Sequence, residues 1–184
     1  KTSQTDVSVQ GEPVTAGTNV APEATPTAEY TAGWNNVNAV NDGKVLFTGG
    51  SQSDIWGTWS GNHPATRWLQ YEWKTPQRVA GAEIAFWSDQ TDPSSPNGVN
   101  VPKGWKAQYW TGSDWADVSN PSEYTVQRDA ANAVTFDAVT TTRLRVVLEA
   151  AGTDPYAAVA VSELKVFADA PTAIEPIDVR ASAN

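Results

Sequence analysis

The sequence predicts an all-β domain, a sandwich or a barrel, on three observations. Apolar and polar residues alternate with a period of two through most of the chain, and no segment sustains a helical period. Gly, Pro and Asn separate about eight short apolar runs.

Residues 1–27 are rich in Thr, Pro, Ala, Ser and Gly and read as a linker or the tail of a preceding domain, with one short strand at Asp6-Val7-Ser8-Val9. The first confident strand, 67–73, sets Leu69, Tyr71 and Trp73 on one face. The next, 81–87, sets Ala82, Ile84 and Phe86 on one face and Trp87 on the other. A long break follows at 88–102, a length that in compact domains is usually functional or mobile; it carries Asp89, Asp92, Asn97 and Asn100. Strand 104–110 opposes Trp105, Ala107 and Tyr109 to Lys106, Gln108 and Trp110. Thr111-Gly112-Ser113-Asp114 is a hairpin turn into 115–118, and further strands follow at 132–137, 142–149 and 156–167. After a second linker-like stretch, 174–179 resembles the opening of another domain. The folded unit is placed at 28–169, with 170–184 as linker and the start of a following domain, so that the whole reads as a monomeric module of a multidomain chain.

The last strand contains a conflict. Val159, Val161 and Glu163 share one parity, and Leu164 and Val166 the other. Either a bulge at Ser162-Glu163 switches faces or a carboxylate points inward, where it needs a partner. A hard cation is one solution, because Ca²⁺ takes oxygen ligands from carboxylates and carbonyls. Asn41-Asp42-Gly43 is either the other half of such a site or simply a tight turn.

Composition narrows the function classes. The 184 residues carry a net charge of -9 and a pI of about 4.4, with no basic run, which disfavours nucleic acid and anionic membranes as partners. Cysteine is absent, so no disulfide framework or Cys-type zinc site is available. No apolar run approaches the ~20 residues of a membrane span. Nine tryptophans lie between Trp34 and Trp115, beside a single histidine. Two of them, Trp56 and Trp59, belong to the Gly/Ser-rich loop Trp56-Gly57-Thr58-Trp59-Ser60-Gly61-Asn62-His63, where a core residue is not expected. Flat aromatic surface with few nucleophiles suits sugar recognition better than bond breaking.

The order of several segments carries a family resemblance. It runs through Ala39-Val40-Asn41-Asp42-Gly43, Trp56-Gly57-Thr58-Trp59-Ser60 and Arg67-Trp68-Leu69-Gln70-Tyr71-Glu72-Trp73, then Gln108-Tyr109-Trp110-Thr111-Gly112-Ser113-Asp114-Trp115, Thr142-Arg143-Leu144-Arg145-Val146 and Val161-Ser162-Glu163-Leu164-Lys165-Val166. The chain resembles the discoidin, or coagulation factor 5/8 type C, domains, and in particular the galactose-binding-like carbohydrate-binding modules of family 32. The resemblance implies a jelly-roll β-sandwich of two antiparallel sheets with one structural Ca²⁺. The implied ligands are the carboxylates of Asp42 and Glu163 and carbonyls at Ala39, Lys44 and Ser162; Thr48 is the nearest candidate for a hydroxyl ligand, at an offset that departs slightly from the pattern. It also implies an accessory, non-catalytic module of a bacterial glycoside hydrolase, secreted or at the cell surface, that binds galactose-, N-acetylgalactosamine- or arabinose-containing glycans.

The candidate sugar-binding residues are Trp56 and Trp59 as stacking faces, each alternatively a plug for the end of the core, with Asn62 and His63 in the same loop. Arg67 either bonds a sugar oxygen or forms a surface ion pair. Trp87 and Asp89 flank the long loop, and Asn97 and Tyr156 complete the rim. Trp73 and Trp105 are read as core, Trp110 and Trp115 as a cross-hairpin pair, and Trp34 is unassigned. Two rival readings stand beside this one. A glycosidase needs paired carboxylates, for which Asp89/Asp92 and Asp114/Asp117 are the close pairs. A protein- or cell-surface-adhesion module is compatible with the same sandwich.

Overall fold

The computed structural model describes residues 17–61 and 66–169; the strand expected at 6–9, Asn62, His63 and the segment 170–184 lie outside them. Among the described residues there are nine strands: β1 (Thr25–Ala28), β2 (Trp56–Gly57), β3 (Thr66–Phe86), β4 (Gly98–Val99), β5 (Gly104–Trp110), β6 (Trp115–Asp117), β7 (Ala131–Glu149), β8 (Ala157–Ala158) and β9 (Ala160–Ala168). Three 3-10 turns, Ala21–Glu23, Val37–Asn41 and Gln52–Asp54, complete the elements. Among the described residues no helix is long and apolar enough to cross a membrane.

The alternation expected at 67–73 and 81–87 belongs to one strand, β3, which changes register between Glu72 and Gln77. Lys74-Thr75-Pro76 lies in that step, and Pro76 has no N–H with which to continue a ladder, so the strand turns a corner there. In the same way 132–137 and 142–149 are two halves of β7. Thr141 fixes the corner of β7, donating its hydroxyl to the Trp110 and Arg143 carbonyls and accepting the Arg143 N–H.

Both long strands therefore serve both layers of a sandwich. The first layer runs β1, the start of β3, the end of β7, β5 and β6; the second runs β2, β9, the end of β3 and the start of β7. All these pairings are antiparallel; the two-residue pair of β4 and β8 is parallel. Leu69, Tyr71, Trp73, Trp105, Leu144, Val146 and Leu148 from the first layer meet Val79, Ile84, Phe86, Val161, Leu164 and Val166 from the second in one core. Phe86 packs edge-on against Trp105 across it, with ring centroids 6.1 Å apart.

The parity conflict in β9 is resolved by both of the devices considered. Ala85 pairs with Glu163 and Phe86 with Val161, so Ser162 is the extra residue of a bulge. Val161 and Leu164 can then both reach the core, and Ser162 turns to loop 44–48, where its hydroxyl donates to the Leu46 carbonyl and accepts the Leu46 N–H. Glu163 is left 3% exposed.

A buried tyrosine joins the layers through its hydroxyl. The Tyr71 hydroxyl lies 2.9 Å from the Val40 carbonyl and 2.8 Å from that of Leu164, and burial raises its pKa well above the ordinary value. Tyr71→Phe keeps the ring and removes the donor from two buried carbonyls. It is expected to cost about 1–3 kcal/mol in chemical denaturation, with no change in the slope of the transition.

Candidate functional site

At one end of the sandwich three loops present their rings to solvent. Trp34, Trp59 and Tyr156 are 51%, 37% and 46% exposed, and they are three of the four exposed large apolar side chains among the described residues. They touch one another: the Trp34 and Trp59 centroids are 5.7 Å apart at 49°, and those of Trp59 and Tyr156 5.1 Å apart at 37°.

Each ring is carried on backbone that is tied down behind it. Ala32 N–H donates to the Gly57 carbonyl, Asn35 N–H to Ala32 and Asn36 N–H to Ile55, so the turn holding Trp34 is pinned on both sides. The Asn35 amide adds a bond to the Gln52 carbonyl. Trp59 follows buried Thr58, whose backbone N–H donates to the Val159 carbonyl and whose hydroxyl accepts the Val159 N–H. Tyr156 N–H donates to the Asp154 carboxylate, and the Tyr156 carbonyl accepts from Gly98. Two glycines permit the close approaches. A Cβ on Gly61 would come within 2.7 Å of the Tyr156 phenol, and one on Gly152 within 2.4 Å of the Pro96 carbonyl oxygen. Such an arrangement, rigid behind and apolar in front, provides stacking surface for the C–H face of a sugar ring.

Three of the sequence-derived candidates are corrected. Trp56 is fully buried: it pairs with Val161 in the second layer and donates its indole N–H to the Tyr30 carbonyl, so it plugs the core. Trp87 does leave the main core face, but the loop at 46–50 covers its other side. It is 5% exposed, packs with Ile55, Val99, Ala158 and Ala160, and donates to the Gly49 carbonyl. Arg67 forms no surface ion pair among the described residues. It shares the inward face with Leu69 and Tyr71, is 1% exposed, and among the described residues bonds the Thr66 carbonyl and leaves its Nε without a partner. Burial lowers its pKa, partly offset by Glu29.

The remaining candidates divide. Tyr156 and Trp59 join the aromatic cluster, and exposed Asn97 follows Pro96, which abuts Gly152. Asp89 spends its Oδ1 on the Val99 N–H and the Gln90 amide. With Thr48, Ser88 and Arg128 it lines a separate depression of about 310 Å³. Arg128 ties that depression together by donating to Ser88 Oγ, Asn100 Oδ1 and the Gln90 carbonyl. Trp34 was missed, although its setting in a Gly/Asn turn is the same signal that singled out Trp59.

The carboxylate pairs considered for catalysis are engaged in turns and surface contacts. Ser94 holds the Asp92 carboxyl below the usual range, and Gln108 and Lys106 do the same for Asp117, whereas a general acid needs the opposite shift.

Glu163 behaves differently. Burial, with the Asp42 carboxylate nearby, pushes its pKa up to about 7, against one hydrogen bond from the Gly43 N–H at 3.1 Å. Asp42 accepts the Lys44 N–H, and the Lys44 ammonium pairs outward with Asp54 at 3.2 Å. The Asp42 carboxylate in the loop after the Val37–Asn41 turn and the Glu163 carboxylate on β9, the latter buried and in no ion pair among the described residues, form with nearby backbone carbonyls a donor set that fits a hard cation. Among the described residues no third acidic or histidine side chain joins them, so further ligands there would be carbonyl or hydroxyl oxygens.

No family profile matches the sequence. The fold is shared with several solved structures. A chain of the Streptococcus pneumoniae β-galactosidase BgaA superposes with a TM-score of 0.70 at 16% identity, over 83% of this chain and 99% of that one. The family 32 carbohydrate-binding module of Clostridium perfringens NanJ, solved with galactose, gives 0.58 at 16% identity over 82% and 98%. Chitosan-binding module 1 of a Paenibacillus sp. IK-5 chitosanase/glucanase gives 0.55 at 18% over 82% and 98%. The architecture is thus the galactose-binding-like β-sandwich found in family 32 modules.

Proposed function

We propose that the chain is a non-catalytic carbohydrate-binding module of family 32, which holds a secreted or surface-bound glycoside hydrolase on galactose-type or arabinose-type glycans. The observation that carries this reading is the contact cluster of Trp34, Trp59 and Tyr156, exposed on loops whose backbones are pinned from behind. The chain's other tryptophans are buried or half-buried, and rings exposed together in this way mark a binding surface. The sandwich it shares with the galactose-bound and chitosan-binding modules supports the reading. A single site of this openness binds weakly, so retention on a glycan surface would come from several modules on one chain.

A structural Ca²⁺ belongs to the proposal. The Asp42 and Glu163 carboxylates would hold it, with carbonyls of Ala39, Lys44 and Ser162, while Thr48 lines the depression beside Asp89. Bound calcium would neutralise the carboxylates and tie the loop after the Val37–Asn41 turn to β9. The chain's own residues then do the rest: Ser162 anchors the loop at Leu46, and Gly43 N–H orients Glu163.

Sugar contact at the cluster is tested by fluorescence. Added galactose, N-acetylgalactosamine or arabinose is expected to shift or quench tryptophan emission in the native protein. Emission that stays unchanged with every sugar, in folded and calcium-loaded protein, would count against contact at Trp34 and Trp59.

A further inference from the structure

We infer that the outer face of the first layer is a second glycan-binding surface, built to take an extended, uncharged polysaccharide chain. The outer face of a sandwich is ordinarily polar, yet Trp68, Trp110 and Trp115 all stand on this one, half-buried. Strand register arranges them. Thr66, Glu149 and Gly104 lie side by side across β3, β7 and β5, followed by the row Trp68, Val147, Lys106. Then comes the row Gln70, Arg145, Gln108, Asp117, and last Glu72 and Arg143 beside the Trp110–Trp115 pair.

Gly104 and Val147 leave a depression of about 340 Å³ at one end of the face, walled by Thr66, Lys106 and Glu149. At the other end Trp110 and Trp115 meet edge-on at 5.5 Å, with Arg143 lying 5.4 Å from the Trp110 ring. Trp68 and Trp110 are two strands and four residues apart, which on ordinary strand spacings is ~17 Å, with Arg145 midway between them. A single sugar cannot span that distance, whereas a chain can lie along it.

Charge decides which kind of chain. Lys103 pairs with Glu149 at 3.3 Å, Lys106 with Asp117 at 3.0 Å and Arg143 with Glu72 at 3.2 Å, so these charges cancel. Of the cations in these pairs and rows, Arg145 alone is in no ion pair among the described residues, although the Glu29 carboxylate acts on it at longer range. Its Nε donates to Gln108 at 2.8 Å, and its guanidinium lies 4.3 Å from the Trp115 ring, leaving N–H groups for hydroxyls. One spare cation does not outweigh the net charge of -9, which repels acidic polymers at range. Cross-strand stacking accounts for the Trp110–Trp115 pair alone. It accounts neither for Trp68, on which no ring or guanidinium stacks among the described residues, nor for the depression beside it.

Affinity electrophoresis tests this surface separately from the loop cluster. The gels contain galactan, arabinan, xylan, mixed-linkage β-glucan or polygalacturonate, and binding of free sugar is followed in parallel by calorimetry. A Cβ on Gly104, which lines the depression, meets nothing within 4 Å, so Gly104→Leu adds apolar bulk there from a position with room for a side chain. The native protein is expected to be retarded by at least one uncharged polymer, and Gly104→Leu and Trp115→Ala to weaken that retardation about tenfold while free-sugar binding is unchanged. Trp59→Ala is expected to do the reverse, losing free sugar and keeping retardation. Should Trp115→Ala fail to fold, Gly104→Leu decides alone. The inference is overturned if Gly104→Leu migrates as the native protein, if polygalacturonate alone retards it, if no polymer does, or if Trp59→Ala by itself abolishes retardation. If Trp59→Ala leaves free-sugar binding intact while Gly104→Leu cuts retardation, the loop reading fails and this one stands.

Discussion

Chelating calcium is expected to lower the melting temperature of the native protein by about 5–15 °C, the effect of removing a ligand present at a hundred- to thousandfold excess over its dissociation constant. Asp42→Ala and Glu163→Gln should each melt at the same temperature with and without chelator. The basis is the buried Glu163 carboxyl beside Asp42, a pair that repels once Glu163 ionises unless a cation joins it. The metal-free protein carries a pH signature. Its folded state holds the Glu163 proton up to about 7, whereas the unfolded chain releases it near the ordinary 4.5. Between those values the folded state binds more protons, so metal-free stability should fall as pH rises through the window and level off above it. Calcium should remove that slope, since the bound ion keeps the carboxylate charged, and Glu163→Gln should remove it without calcium. A melting temperature indifferent to chelation in the native protein would leave the bulge at Ser162 as the whole explanation of the β9 parity.

Trp59→Ala is expected to weaken sugar binding by about thirtyfold or more, the ~2 kcal/mol typical of a central aromatic contact, while the melting temperature changes little. Trp59 is the middle ring, in contact with both Trp34 and Tyr156, and its removal leaves neither neighbour a continuous surface. Trp34→Ala and Tyr156→Ala should each cost less, because each removes an end. Trp56→Ala is the internal control: three residues away but fully buried, it should lose about 3–5 kcal/mol of stability in denaturant titration. Equal loss of binding from all these variants, in step with lost stability, would point to unfolding as the cause.

Period-two alternation made most of the strands legible, because it follows directly from which face of a half-buried strand meets the core. The corners were not legible as corners. Lys74-Thr75-Pro76 reads as a break between strands, and only pairing with both halves of β7 shows that β3 continues through it. Parity correctly set Trp87 off the main core face but could not show that the loop at 46–50 folds over it. It also placed Arg67 in line with Leu69 and Tyr71, and the ordinary habit of arginine to seek solvent then outweighed the pattern. The carboxylate conflict in β9 was visible because charge and parity disagreed within one strand. The aromatic cluster was half legible: Trp59 and Tyr156 stood out, whereas contact with Trp34 depends on two loops over twenty residues apart in sequence meeting at one end of the sandwich.

The most direct measurement is a calorimetric titration of the calcium-loaded native protein with galactose, lactose, N-acetylgalactosamine and arabinose, run beside Trp59→Ala. Saturable heat with at least one of these sugars, lost in the variant, is the expected result. No heat with any of them from folded, calcium-loaded protein would contradict the assignment of the ring cluster as a sugar-binding site.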